Sequence, residues 1–153
     1  MNTGKLKLEL IWWIFTGLLA FAILFPIINS ISSYPFLTIN VVFIIVFITS
    51  TRYIFLLKHT FVAQQQIIKA IIIVISIPLI FYLVNNINYF QTFLDEEGID
   101  AVIEGLNYEK GQQMAGYIRN EMLLFGVGSL IASVMLPFRM LISIWRTRNR
   151  GTV

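Results

Sequence analysis

The sequence has no cysteine, one histidine and few charged side chains. Without cysteine the chain cannot form disulfides, iron–sulfur clusters or cysteine-ligated zinc, and it offers no thiolate nucleophile. The single histidine, His59, excludes a multi-histidine metal site and haem ligation by paired histidines within one chain, and we expect it on the surface. Motifs of the G-x-S-x-G, H-E-x-x-H and Walker types are absent. The sequence therefore predicts no catalytic residue, no metal and no cofactor, and a protein that is not an enzyme.

Charge is scarce because apolar residues dominate the chain. Of 153 residues, 12% are charged and 58% hydrophobic, against about 25% and roughly 45–50% in soluble domains. The charges stand in clusters between apolar stretches of about twenty residues, the length that crosses a bilayer. These stretches cover residues 8–28, 36–57, 67–87 and 122–145. The pattern predicts an all-α polytopic integral membrane protein, a single membrane domain over residues 1–153 with four transmembrane helices in an antiparallel bundle.

The first apolar run also has the basic start of a signal peptide. It is longer than the apolar region of a signal peptide, which is usually about 7–15 residues, and no A-x-A-like cleavage site follows it. Trp12 and Trp13 lie near its beginning, where amphipathic indoles suit the headgroup boundary. We therefore interpret residues 8–28 as a transmembrane helix.

The distribution of charge predicts an orientation. Seven of the eight acidic residues lie between the third and fourth runs: Asp95, Glu96, Glu97, Asp100, Glu104, Glu109 and Glu121. Nine of the eleven basic residues lie on the other side: Lys5, Lys7, Arg52, Lys58, Lys69, Arg139, Arg146, Arg148 and Arg150. Because Lys and Arg in short flanks hold a segment in the cytoplasm, we expect both termini there and the acidic loop outside.

Net charge and composition bear on the partners and the location. The formal net charge is only +3, and the basic residues sit at the ends of apolar runs, which argues against a nucleic-acid partner. The richness in Ile, Phe and Asn suits an AT-rich bacterial genome. We expect the cytoplasmic (inner) membrane of a bacterium as the location, with the lipid bilayer as the first partner.

The acidic outer loop, residues 89–121, carries a helical pattern. Apolar residues recur at i, i+3, i+4 and i+7: Ile99, Val102, Ile103 and Leu106. This spacing predicts an amphipathic helix that ends at Gly105 and Asn107. Asn107 also suits the N-cap of a second helix that continues into the fourth span. Two interpretations stay open for the loop: a helix lying at the outer interface, or a surface that docks a partner or attracts cations.

Two arginines lie inside the apolar runs, Arg52 in the second and Arg139 in the fourth. Burying arginine in hydrocarbon is costly, so each needs an explanation. Both are close enough to the inner end for the side chain to reach the headgroups. Alternatively, one of them pairs with Glu9, the acid at comparable depth in the first run. In the third interpretation both converge on an anion, such as a lipid phosphate or a carboxylate substrate.

The fourth run holds a group of small residues: Gly126, Gly128, Ser129, Ala132 and Ser133. Small residues let helix backbones approach, and in lipid close packing supplies the association. We expect this face to pack, either within the monomer or against another copy or subunit. Pro78 in the third run and Pro137 in the fourth each remove a helical hydrogen bond and predict kinks.

These features favour a non-catalytic small multi-pass membrane protein, a subunit or scaffold of a membrane assembly, because that function needs the fewest special residues. The alternative is a small oligomeric transporter or channel with an arginine-lined site for an anion or an anionic lipid. Its weakness is the lack of a continuous hydrophilic stripe along the apolar runs. Expected partners are the bilayer, anionic phospholipid, and either a protein partner or further copies of the chain.

Overall fold

A computed structural model describes residues 3–149 of the chain. Within this range every regular element is helical and none is a strand. The elements are α1 (Thr3–Ser30), α2 (Leu37–Leu56), two short 3₁₀ turns (Leu57–His59 and Phe61–Gln64), α3 (Gln66–Glu96), α4 (Asp100–Ile103) and α5 (Tyr108–Asn149).

Four of these helices, α1, α2, α3 and α5, are long and apolar enough to cross a membrane. The four predicted membrane-length helices and the all-helical fold class are therefore confirmed. Large apolar side chains cover the outer faces, and several are more than half exposed; examples are Ile14, Ile67, Phe81 and Phe138. Such surfaces suit lipid, which solvates apolar side chains and offers the backbone no hydrogen bonds.

The helices extend beyond the apolar runs that predict them. α3 continues past residue 87 to Glu96. α5 begins at Tyr108, directly after Asn107, and continues into the fourth apolar run, as the predicted N-cap at Asn107 implies. The additional turns are polar, and a prediction drawn from apolar runs ends where the polar residues begin. They stay helical because their buried positions still pack: Phe90 is 2% exposed and Ile118 is fully buried.

The core lies between α2, α3 and α5. α5 packs along both α2 and α3, whereas α1 packs chiefly along α2. Ile44, Leu83 and Ile118 are fully buried in this core, and Ile27 of α1 is fully buried against it. A second, smaller apolar cluster occupies the end of the molecule near the 3₁₀ turns: Leu57, Val62, Leu136 and Met140. α1 is thus the most peripheral of the long helices.

An aromatic cluster closes the other end of the core. Phe36 stands just before α2, and its ring centroid lies 5.2 Å from that of Phe90 and 4.8 Å from that of Phe93. Tyr34 and Tyr89 also pack against Phe36. The edge-on geometries of the Phe36 pairs with Phe90 and Phe93 are favourable for aromatic rings. The cluster fixes the start of α2 against the polar extension of α3.

The segment between α3 and α5 is less helical than the sequence predicts. The expected amphipathic helix over residues 99–106 is reduced to α4, with Val102 and Ile103 buried. It ends because Gly105 takes a left-handed conformation, φ +92°, which favours glycine. Asn107 then caps α5, since its Oδ1 accepts a hydrogen bond from the backbone N–H of Lys110 at 2.9 Å.

Both helices with a predicted kink continue without interruption through their prolines. α3 runs through Pro78 and α5 through Pro137. Ser76 donates its hydroxyl hydrogen to the Ile72 carbonyl at 2.7 Å. It therefore serves its own preceding turn, and not the Val74 carbonyl that Pro78 deprives of its helical partner.

Candidate functional site

Glu9 and Arg52 join α1 to α2 through a two-point ion pair. Arg52 Nη1 donates to Glu9 Oε1 at 3.0 Å, and Nη2 donates to Oε2 at 2.7 Å. The Glu9 side chain is only 11% exposed and the Arg52 side chain only 7%. The Tyr53 hydroxyl adds a third hydrogen bond to Glu9 Oε1 at 2.7 Å. Parallel hydrogen bonds from guanidinium to carboxylate are among the stronger polar contacts in proteins.

The Arg52 guanidinium is also held by aromatic rings. Its central carbon lies 5.1 Å from the centroid of the Trp12 ring and 5.6 Å from that of Tyr53. Both distances are within the range of cation–π attraction. Arg52 is therefore engaged by the Glu9 carboxylate and by two aromatic rings, and it reaches an external anion only by leaving this arrangement.

Arg139 has different surroundings from Arg52. Its Nε donates to the backbone carbonyl of Ile54 at 2.9 Å. Ile54 lies in the last turn of α2, where carbonyls lack helical partners. A cation at this end of α2 is also attracted by the partial negative charge of the helix C-terminus. Arg139 thereby caps α2 from α5 and keeps both Nη atoms free of hydrogen bonds within residues 3–149.

Arg139 lines a cavity that we call the basic pocket. The pocket has a volume of about 390 Å³ and draws its four basic side chains from α1, the first 3₁₀ turn and α5: Lys5, Lys58, Arg139 and Arg146. No acidic side chain lines it, and Arg52 does not contribute to it. Its other polar groups, such as Gln64 and Ser143, are uncharged. The arrangement can attract an anion.

Lys69 adds positive charge near the basic pocket. The residue is fully buried at the start of α3, and its Nζ donates to Gln66 Oε1 at 3.4 Å. It lies close enough to Arg139 for the two charges to interact. The sequence places Lys69 near the start of its helix but gives no sign that it is buried. His59, by contrast, is exposed, as expected.

A second polar group, unpredicted from the sequence, lies at the aromatic end of the core. Asn40 of α2 is fully buried and Glu121 of α5 is 6% exposed. Asn40 Nδ2 donates to Glu121 Oε2 at 2.5 Å and lies 3.5 Å from the Tyr34 hydroxyl oxygen. Burial raises the pKa of Tyr34, so this phenol stays protonated at neutral pH. The sequence does carry one indication that Glu121 is buried. Its spacing from Met114 and Ile118 puts all three residues on one helical face.

The small residues of α5 pack inside the chain. A Cβ atom on Gly126 would lie 3.1 Å from the Phe43 ring and 3.3 Å from Ile87. One on Gly128 would lie 2.8 Å from the Phe47 ring. Ala132, Ser129 and Ser133 are buried beside them. This face therefore receives the aromatic side chains of α2, the first of the two arrangements considered for it.

Neither a metal cluster nor a relative identifies the site. Within residues 3–149 no group of three His, Cys, Asp or Glu side chains is placed to hold a metal ion. Comparison with protein-family models, curated proteins and solved structures finds no match to the chain. The features of the chain that bear on function are therefore the ion pair, the basic pocket and the exposed helix faces.

Proposed function

We propose that the chain is a non-catalytic multi-pass membrane protein, a subunit or scaffold of a larger membrane assembly. The observation that carries the proposal is the exposure of apolar faces on α1 and α3. α1 rests chiefly on α2 and α3 on α5, which leaves wide apolar faces such as those at Ile14 and Phe81 uncovered. Meanwhile Glu9 and Arg52 satisfy each other within the chain. A scaffold of this kind offers helix faces for lateral packing.

The proposal includes a topology. The helices form an antiparallel bundle in the inner membrane of a bacterium, with both termini and the basic pocket in the cytoplasm. The acidic segment between α3 and α5, with α4 at its centre, faces outward. The one-sided distribution of Lys and Arg supports this orientation.

The decisive experiment is purification of the full chain from native membranes in mild detergent, with mass spectrometry of the co-purified proteins and lipids. The subunit proposal expects one membrane protein in fixed stoichiometry, crosslinked through residues introduced at the exposed positions Ile14 or Phe81. The matched control places the crosslinker at Phe138, which is exposed on α5. A monomer or a pure homo-oligomer as the sole product contradicts the proposal.

The basic pocket favours a second candidate function, a small oligomeric transporter or channel with a site for an anion or an anionic lipid. Four cationic side chains without a carboxylate repel one another, and a bound anion would neutralise them. Arg139 belongs to this site, and Arg52 does not. The candidate keeps Arg139 of the two predicted arginines and assigns Arg52 to the ion pair with Glu9.

A matched pair of variants on α5 tests this candidate. Arg146 lines the pocket, whereas Arg148, two residues on and also exposed, does not. We expect Arg146→Gln to lower the amount of co-purified anionic phospholipid, or anion uptake by proteoliposomes, several-fold. Arg148→Gln leaves both unchanged. Equal effects of the two variants indicate a general attraction to the membrane surface and contradict a specific site.

A further inference from the structure

The pair formed by Asn40 and Glu121 contains two buried oxygen atoms with no hydrogen-bond partner. They are Asn40 Oδ1 and Glu121 Oε1. The other atoms of the pair are engaged, since Asn40 Nδ2 donates to Glu121 Oε2 and contacts the Tyr34 hydroxyl. Buried polar atoms normally have a hydrogen-bond partner, so two unpaired oxygen atoms in one contact need an explanation.

The chemistry of the two groups identifies what is missing. A side-chain amide carries two hydrogens and one acceptor oxygen, and an ionised carboxylate carries acceptors only. With Glu121 ionised, both unpaired oxygen atoms are acceptors, and neither can donate a hydrogen bond to the other. One hydrogen placed on Glu121 Oε1 converts that oxygen into a donor and gives Asn40 Oδ1 the partner it lacks.

The surroundings of Glu121 also favour a neutral acid. Within the described chain the one ion pair is that of Arg52 with Glu9, so no cation compensates Glu121. The ionisable groups that face it are two phenols, Tyr34 from the turn before α2 and Tyr117 from α5 itself. A buried carboxylate without a cation or several donors is costly, whereas a protonated carboxyl group is not.

We propose that Glu121 is a proton-binding site and that its protonated form makes a two-point acid–amide pair with Asn40. The proton comes from solvent, and the bond that forms is Oε1–H. This hydrogen is then donated to Asn40 Oδ1 while Asn40 Nδ2 donates to Oε2. On release the same bond breaks, the proton returns to solvent, and a carboxylate with a single amide donor remains.

A groove beside α5 gives the proton a route. The groove has a volume of about 300 Å³, and Glu121 lines it together with Ile23, Tyr117 and Asn120. The Tyr117 hydroxyl donates to the Ile23 carbonyl at 2.7 Å, which ties α1 to α5 beside Glu121. Loading and release of the proton therefore take place next to the contact that holds the peripheral helix.

Infrared spectroscopy of the purified full chain at pH 7 tests the proposal. We expect an absorption band of a protonated carboxylic acid that disappears in Glu121→Gln and persists in Glu104→Gln, whose carboxyl group is exposed. In Asn40→Leu the band should move to higher frequency, because the acid carbonyl loses its amide donor. Absence of the band from the native chain, or its persistence in Glu121→Gln, overturns the proposal.

Thermal unfolding supplies an independent measurement. A proton bound more tightly by the folded than by the unfolded chain stabilises the fold at low pH, and this contribution declines as pH rises. The native chain should therefore lose stability on going from pH 6 to pH 9. In Glu121→Gln, whose amide is permanently neutral, that loss should be smaller. A Tm that rises with added Na⁺ at pH 9 in the native chain alone assigns the two oxygens to a metal cation and overturns the proton site.

Discussion

At the scale of single residues, the molecule places two arginines where apolar neighbours predominate and gives each of them a polar partner. Glu9 and Arg52 reach each other from different helices, and Tyr53 supplies a further donor to the carboxylate. Arg139 donates instead to a backbone carbonyl. Each group thus meets the partner that its chemistry requires, a carboxylate for one guanidinium and a helix end for the other.

Glu9→Gln should destabilise the protein, because it leaves the Arg52 guanidinium buried without a counterion. Removing one member of a buried pair typically costs about 3–5 kcal/mol. We expect a correspondingly lower Tm in detergent. The double variant Glu9→Gln with Arg52→Gln should recover part of the loss, since no unpaired charge then remains buried between α1 and α2. An unchanged Tm in the single variant would show that the pair contributes nothing to stability.

At the scale of helices, small residues allow close packing and capping side chains satisfy helix ends. Gly126 and Gly128 let the Phe43 and Phe47 rings of α2 lie against the backbone of α5. This is the means by which helices associate where lipid provides no hydrophobic drive. Asn107 sets the beginning of α5 by accepting the N–H of Lys110.

A leucine at Gly126 has no room beside Phe43, which is 1% exposed. We expect Gly126→Leu to lower the free energy of unfolding by about 1–3 kcal/mol, the usual cost of overpacking a core. The matched control is Gly17→Leu on α1, where a Cβ atom meets nothing within 4 Å. Equal stability of the two variants would contradict the tight contact between α2 and α5.

Asn107→Ala should release the first turn of α5 without unfolding the molecule. Loss of an N-cap costs about 1 kcal/mol, and the freed amide of Lys110 should exchange its hydrogen faster. Asn120→Ala is the control, because Asn120 is exposed within the same helix and caps no helix terminus. Hydrogen exchange followed by mass spectrometry distinguishes them, and equal protection of Lys110 in both variants argues against the cap.

At the scale of the whole molecule, the four membrane-length helices could be predicted because each coincides with an apolar run. The polar extension of α3 to Glu96 could not, since its helicity depends on Phe90 and Phe93 meeting Phe36 from another helix. The polar sites, too, could be predicted only in part. Pairing of Glu9 with an arginine was among the sequence hypotheses. Helical spacing puts Glu121 on the same face as Met114 and Ile118, but its contact with Asn40 depends on how α2 and α5 meet, which no local pattern encodes.

The absence of cysteine makes the proposed orientation directly measurable. Glu104→Cys and Gln65→Cys each introduce a single exposed thiol, one between α3 and α5 and the other between α2 and α3. A membrane-impermeant maleimide added to intact cells should label position 104 at once and position 65 only after permeabilisation. The native chain gives the background signal, and the reverse labelling pattern would invert the orientation.

The contact between Glu9 and Arg52 has a consequence for biogenesis. α1 emerging by itself from the insertion machinery brings an unbalanced negative charge into the hydrocarbon, and α2 by itself brings a positive one. The charges cancel when the two helices enter side by side. We therefore expect the hairpin of α1 and α2 to integrate into the bilayer as one unit, with efficient retention of the first helix awaiting synthesis of the second.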